Sequence, residues 1–250
     1  LFGYAAYLFI DPGKRADVPR FLAVAASYIE HDRPDAAVAV LNQLQKLGEL
    51  SEVERARAHL LTARAIDRWQ SIQRIDVEAN HHQIVRHSQL AVEAGADLRA
   101  EGHERLARTH RGLGQIELAA THYRTAMRLD AANRVSLHRR LIAMLIEAGR
   151  SEEAETELIA FSAQPGLDNA ERAWSSATRG RMLSDARRYA EAQVLLSDAE
   201  RLGRDGPADL RGEVAYRLAH AAWRLGNYTD AEQYAKDARE LLTGPPPREA

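Results

Sequence analysis

One stretch limits what this chain can fold into more than any other. Gly102 to Asn133, GHERLARTHRGLGQIELAATHYRTAMRLDAAN, holds two amphipathic helices and the turn that joins them. Leu106, Ala107 and His110 fall on one face of the first helix, and Ala119, Tyr123 and Ala126 on one face of the second, at spacings of three and four. Between them Gly114 has no Cβ and accepts the left-handed backbone of a tight helix exit, so Leu113 to Gln115 is the turn. Ala107, Ala119 and Ala126 occupy the expected crossing, where only small side chains let helix axes approach to ~8–10 Å.

The same pattern recurs along the chain. Phe21, Val24, Ala25 and Tyr28 form a first face, Arg33-Pro34 a turn with Asp32 where Gly is usual, and Ala37, Leu41 and Leu44 the answering face. Ser51-Glu52-Val53-Glu54 spells a capping box at the head of a helix over about 51–70 that turns Ala56, Leu60, Ala63 and Ile66 inward. Residues 71–74 break the period, and a helix over about 76–94 buries Val77, Ile84, His87 or Ser88, and Ala91. From Ala37 to Ala119 is 82 residues where two regular units take ~68, so a lengthened connection is expected between these two helices. Leu141, Ile142 and Leu145 face Ala154 and Leu158 across Gly149, with the bulky Phe161 where a small residue is usual. After the turn Gln164-Pro165-Gly166, Asp168 or Asn169 caps a helix whose Ala173, Ala177, Gly180 and Leu183 meet Tyr189, Ala192, Leu196 and Ala199. Ala215, Leu218, Ala219 and Ala222 pair last with Ala231, Tyr234, Ala235 and Ala238, before Gly244 and three prolines stop the helix.

On these residues the chain resembles the tetratricopeptide repeat family. Leu106-Ala107 stand at its usual Leu-Gly pair, His110 at its Tyr, Gly114 at its turn, Ala119, Tyr123 and Ala126 at its second-helix positions, and Ala131 at its final Pro. Equivalent alanines, Ala119, Ala154, Ala192 and Ala231, recur at 35, 38 and 39 residues, against ~34 for the standard repeat. The resemblance implies an all-α fold, a right-handed α-solenoid of about six antiparallel helix pairs over residues 18–244, with an apolar segment 1–17 before it and a Pro-rich tail 245–250 after it. It also implies a concave groove lined by the first helix of each pair. Its walls receive Arg64 and Arg68 from the second unit, Arg108 and Arg111 from the third, Arg139 from the fourth, Arg181 from the fifth, and Tyr216, His220, Trp223 and Arg224 from the sixth.

Those groove positions are mostly cationic in a chain of net charge -2, so the acidic residues are expected elsewhere. Guanidinium forks bind carboxylates in bidentate fashion, which makes the expected partner a protein or peptide with an acidic segment or a free C-terminal carboxylate. A competing reading pairs the same arginines with Asp and Glu on adjacent helices. The family's clamp for chaperone tails uses Lys and Asn at first-helix positions where this chain has Leu22 and Ala26, so that ligand class is not expected.

Composition narrows the rest. The charge balance and a pI near 6.6 argue against a nucleic-acid binder. With no Cys, disulfides, thiolate metal sites and cysteine nucleophiles are excluded. Ten histidines raise a metal question, above all His81, His82, His87, His103 and His110, but no HExxH occurs, so no metal site, no cofactor and no enzyme activity is expected. The Arg- and Ala-rich usage suggests a bacterial genome of high GC content.

The run LFGYAAYLFI over residues 1–10 carries no charge and stops at Asp11-Pro12-Gly13-Lys14-Arg15. Three readings compete: the end of a membrane anchor cut at the start of the chain, the end of a signal peptide, and a short helix packed on the first repeat. The anchor is favoured, and it expects a further ten or so apolar residues upstream to reach the ~20 that span a bilayer. It places the chain at a membrane; the packed helix leaves it cytoplasmic. Opening on Leu1 rather than Met, the chain is expected to be a fragment or a processed form. Two functions follow: a non-catalytic protein-interaction scaffold tethered at a membrane, or an accessory or regulatory domain of a larger multidomain enzyme or envelope or secretion factor.

Overall fold

The computed structural model describes residues 18–46 and 50–243, and the described residues contain twelve helices and no strand. In chain order these are α1 (Val18–Glu30), α2 (Pro34–Lys46), α3 (Glu52–Gln73), α4 (Glu78–Glu93), α5 (Ala100–Gly112), α6 (Ile116–Leu129), α7 (Arg134–Glu147), α8 (Ser151–Ser162), α9 (Asn169–Asp185), α10 (Tyr189–Leu202), α11 (Ala208–Arg224) and α12 (Tyr228–Thr243). The chain divides into two compact units, residues 1–144 and 145–250. Antiparallel pairs α1/α2, α3/α4 and α5/α6 build the first, and α9/α10 and α11/α12 dominate the second. The apolar run 1–10 and the prolines of the tail lie outside the described residues. Among those residues no helix is long and apolar enough to cross a membrane.

Backbone geometry explains why the pairs are so alike. In four of them a left-handed residue stands seven positions after the crossing residue: Asp32 after Ala25, Gly114 after Ala107, Arg187 after Gly180 and Gly226 after Ala219; Gly149, between α7 and α8, likewise stands seven after Ile142. The next amide then reaches back five residues to the first helix, as in Gln115 N–H to His110 O (2.8 Å) and Asn227 N–H to Ala222 O (2.9 Å). Such bonds satisfy carbonyls that the helix end leaves free.

The second pair departs from this frame in a defined way. Its left-handed residue, Arg74, comes eleven positions after Ala63, one helical turn later than in the others. The expected excess length therefore goes partly into α3 itself and only partly into the connection. Gln70, buried, holds the longer exit closed: its carbonyl oxygen accepts from Ile75 N–H at 3.1 Å and its side-chain oxygen from Val77 N–H at 2.8 Å. Val77 thereby serves the loop and stays exposed, where the sequence pattern had it buried.

Both expected caps form. Ser51 and Glu54 satisfy each other's backbone amides at the head of α3, as do Asp168 and Glu171 at the head of α9. The crossing residues Ala107, Ala119, Ala126, Ala219 and Ala231 are all buried. At Gly180 the approach is closer still, since a Cβ there would lie 2.7 Å from Leu196 Cγ. Phe161 is fully enclosed and meets the Trp174 ring edge-on at 5.2 Å. Two inward assignments are corrected. Leu60 is only half-buried, because Leu61 takes the core position beside it, and Ala235 is exposed, because α12 buries Ala231 and Ala238 instead.

Candidate functional site

The first unit gathers its charges on the first helices of its pairs. Arg68 on α3 reaches Asp32 at the end of α1 (Nε to Oδ1, 2.8 Å), Arg108 on α5 reaches Asp67 on α3 (2.6 Å), and Arg140 on α7 pairs with Glu104 on α5. Arg64 faces Glu101 at 3.5 Å. The side chains at positions 64, 67, 68, 101, 104, 105 and 108 line a cleft of about 410 Å³. Acidic residues thus stand among the groove arginines, correcting the expectation that they lie elsewhere. A signal for this was present: Asp67 sits a helical turn from Arg64, Glu101 from Arg105 and Glu104 from Arg108, each on the same face.

Arg105 is the enclosed member of this cleft. Burial pushes its guanidinium below the ordinary value, and Asp67 and then Glu101 pull it back up. Asp67 Oδ2 lies 3.5 Å from its Nε, and Glu101 Oε1 is 3.2 Å from its Nη2. The two carboxylates offset part of the desolvation cost of a guanidinium that stays charged in this seam.

In the second unit the expected residues converge on one helix. Tyr216, His220, Trp223 and Arg224 lie on α11 at spacings of four, three and one, and Tyr216 and Trp223 are 58% and 56% exposed. Tyr189, at the start of α10, was not anticipated as part of this cluster. Its ring meets His220 edge-on at 5.6 Å and lies 4.9 Å beneath the Arg224 guanidinium, which is also 5.9 Å from the Trp223 ring. Stacking of this kind orients Arg224 without consuming its N–H donors. Arg181 on α9 is half-buried, and Arg111 and Arg139, in the first unit, are exposed. Beyond this face, a cleft of about 980 Å³ opens between Glu155, Arg179, Met182, Arg188, Glu191 and Leu195, with Arg179 held by Glu155 at 2.7 Å and Arg188 by Glu191 at 2.6 Å.

Four of the ten histidines meet in pairs. His59 meets His87 and His103 meets His122, each with Nδ1 atoms 2.9 Å apart. Among the described residues no group of three or more His, Cys, Asp or Glu could hold a metal ion.

Comparison with known proteins agrees with this architecture. The tetratricopeptide repeat family matches at residues 100–133 and 212–241, the third and sixth helix pairs. No curated protein sequence matches the chain. Among solved structures the chain is similar to the C-terminal part of a tetratricopeptide repeat-containing protein of Cytophaga hutchinsonii (TM-score 0.64, 13% identity, 89% of this chain and 79% of that one). It is similar also to the apo form of the quorum sensor NprR of B. thuringiensis (TM-score 0.60, 14% identity, 91% of this chain) and to the apo form of RapI (TM-score 0.57, 13% identity, 91% of this chain and 77% of that one). The chain spans 65% of the length of NprR. At these identities the likeness is one of fold.

Proposed function

We propose, from the premise that this chain carries tetratricopeptide repeats, that it is a non-catalytic scaffold whose first helices take up a protein or peptide partner. The observation that carries this reading is the α11 face, where two large aromatics stand more than half exposed beside a pre-oriented arginine. Exposed aromatic and Arg side chains grouped on one rigid element are the composition of binding hot spots. The same face suits a ligand with an acidic segment or a free C-terminal carboxylate, taken by Arg224; Arg181 on α9 is a second candidate within this unit, and the first unit offers Arg108, Arg111 and Arg139 as candidates of its own. Arg108 is already engaged by Asp67.

The test is fluorescence anisotropy of a labelled Glu-rich peptide with a free C-terminus, against its Gln-rich, C-amidated counterpart, on the full chain. Preference for the acidic peptide that is lost in Trp223→Ala supports the reading. Equal and weak binding of both, unchanged by the substitution, sinks it.

A further inference from the structure

Two neighbouring repeats hold histidines at equivalent places. His59 stands four residues before Ala63 and His103 four before Ala107, on α3 and α5; His87 stands three after Ile84 and His122 three after Ala119, on α4 and α6. Each first-helix ring meets its second-helix partner with Nδ1 atoms 2.9 Å apart and ring centroids 5.1 and 5.2 Å apart. Nitrogens so close with ring centres so far apart mean that the rings meet head-on. That is the geometry of one N–H pointing at one lone pair, not of two lone pairs converging on a metal. The fold does not demand such a pair: the first repeat puts Phe21 and Val40 at the same two places, both buried.

We propose that His59–His87 and His103–His122 are a proton-operated latch between the helices of the second and third repeats, closed while one proton lies between the two Nδ1 atoms and opened by a second. In the neutral pair one Nδ1–H donates to the bare Nδ1 opposite. A first added proton goes to the outer Nε2 of the donor and leaves that bond intact. The next must go to the accepting Nδ1, where two N–H groups then point at each other and two positive charges share a half-buried seam.

The surroundings of the two pairs favour the uncharged state. Arg55 on α3 and Arg86 on α4 are the charged groups that bear on the first pair, and both oppose further positive charge. On the second, Asp97 ahead of α5 favours charge and Arg128 on α6 opposes it. His110 stacks on His122 with ring planes 3° apart, and its own Nδ1 is 2.6 Å from Gln115 Oε1. Burial first, and the partner histidine second, push His87 and His122 down from the ordinary 6.5 to about 4. A pKa lowered in the fold makes the neutral form the native one. The stabilisation is complete above pH 6.5 and fades as the pH falls towards 4.

The experiment compares the full chain with a variant carrying His59→Phe, His87→Val, His103→Phe and His122→Val, the chain's own apolar solution from the first repeat. Urea unfolding is followed from pH 7 to 4. Carboxylates titrate alike in both proteins, so the difference isolates the histidines. Between pH 6.5 and 4 the unfolding constant of the wild type should rise, relative to the variant, by roughly tenfold or more for each pair. Parallel pH profiles overturn the latch. Imidazole nitrogen NMR on the wild type decides independently, even where the variant fails to fold: His87 and His122 titrating near 4 support the proposal, and titration near 6.5 overturns it.

Discussion

Asp67 on α3 accepts a hydrogen bond from Arg108 on α5 at 2.6 Å while standing 3.5 Å from the Nε of Arg105, a nitrogen with no hydrogen-bond partner of its own. One carboxylate thus supports an exposed guanidinium and a buried one. Replacing Asp67 by Asn keeps its volume and leaves Arg105 to the exposed Glu101. The expected cost is ~1–3 kcal/mol, read as a lower urea midpoint, because an unpaired charge in a buried seam loses more than an exposed one. Glu153→Gln, which breaks the exposed Arg150–Glu153 pair, is the comparison and should change stability by ~0–1 kcal/mol. Equal effects from the two substitutions would count against the role given to Arg105.

Arg187 holds a φ of 61° at the turn where the third, fourth and sixth pairs have Gly114, Gly149 and Gly226 at 69°, 71° and 82°. A side chain in that conformation costs ~1–2 kcal/mol, part of which Gly gives back through the greater freedom of the unfolded chain. Arg187→Gly should therefore raise stability by ~0.5–1 kcal/mol in thermal unfolding. No gain, or a loss, would mean that the arginine side chain contributes more than its backbone strain removes.

Most of the fold was legible because it rests on short-range chemistry. The turn at Gly114, the capping boxes at Ser51 and Asp168, and the buried Ala107, Ala119 and Ala126 each follow from residues within one or two helical turns of one another. The second pair was harder. One additional turn of α3 keeps the helical period intact, so the pattern alone could not tell a longer helix from a longer loop; the buried Gln70 that decides it looks like a surface residue in the sequence. For the candidate site, repeat spacing brought Tyr216, His220, Trp223 and Arg224 onto one helix, but not Tyr189, which joins them from the start of α10 in the preceding helix pair. The charged face was misjudged for a different reason. Net charge averages over the whole chain, whereas pairing of Arg108 with Asp67 depends on which faces the helices turn to each other.

Ala119 is wholly enclosed at the crossing of α5 and α6. Ala119→Leu adds three carbons where no space is left and should cost ~1–3 kcal/mol. Ala235→Leu, on the exposed side of α12, is the matching control and should be close to neutral. Comparable losses from both would mean that bulk at the crossing is not what limits the packing.

The arginines of the two units should not behave alike towards an acidic ligand. Arg108→Glu sets a third carboxylate beside Asp67 and Glu104, 2.6 and 3.6 Å from the present guanidinium, so its effect on binding is mixed with a loss of stability. Folding and binding separate better in the second unit, where Arg224 rests on two aromatic rings. Arg181→Glu and Arg224→Glu together should weaken an acidic peptide strongly and leave the thermal transition within a few degrees of wild type. Affinity for that peptide should also fall as salt rises, since exposed charges are screened beyond ~8–10 Å near physiological ionic strength. Trp223→Ala should cost about 2 kcal/mol of binding, roughly thirtyfold in Kd, if the exposed indole is the anchor of the face. A ligand lost in Trp223→Ala but indifferent to salt and to both charge reversals would place the contact on Tyr216 and Trp223 alone. The acidic-ligand reading would then be given up, and the scaffold would stand on its aromatic face.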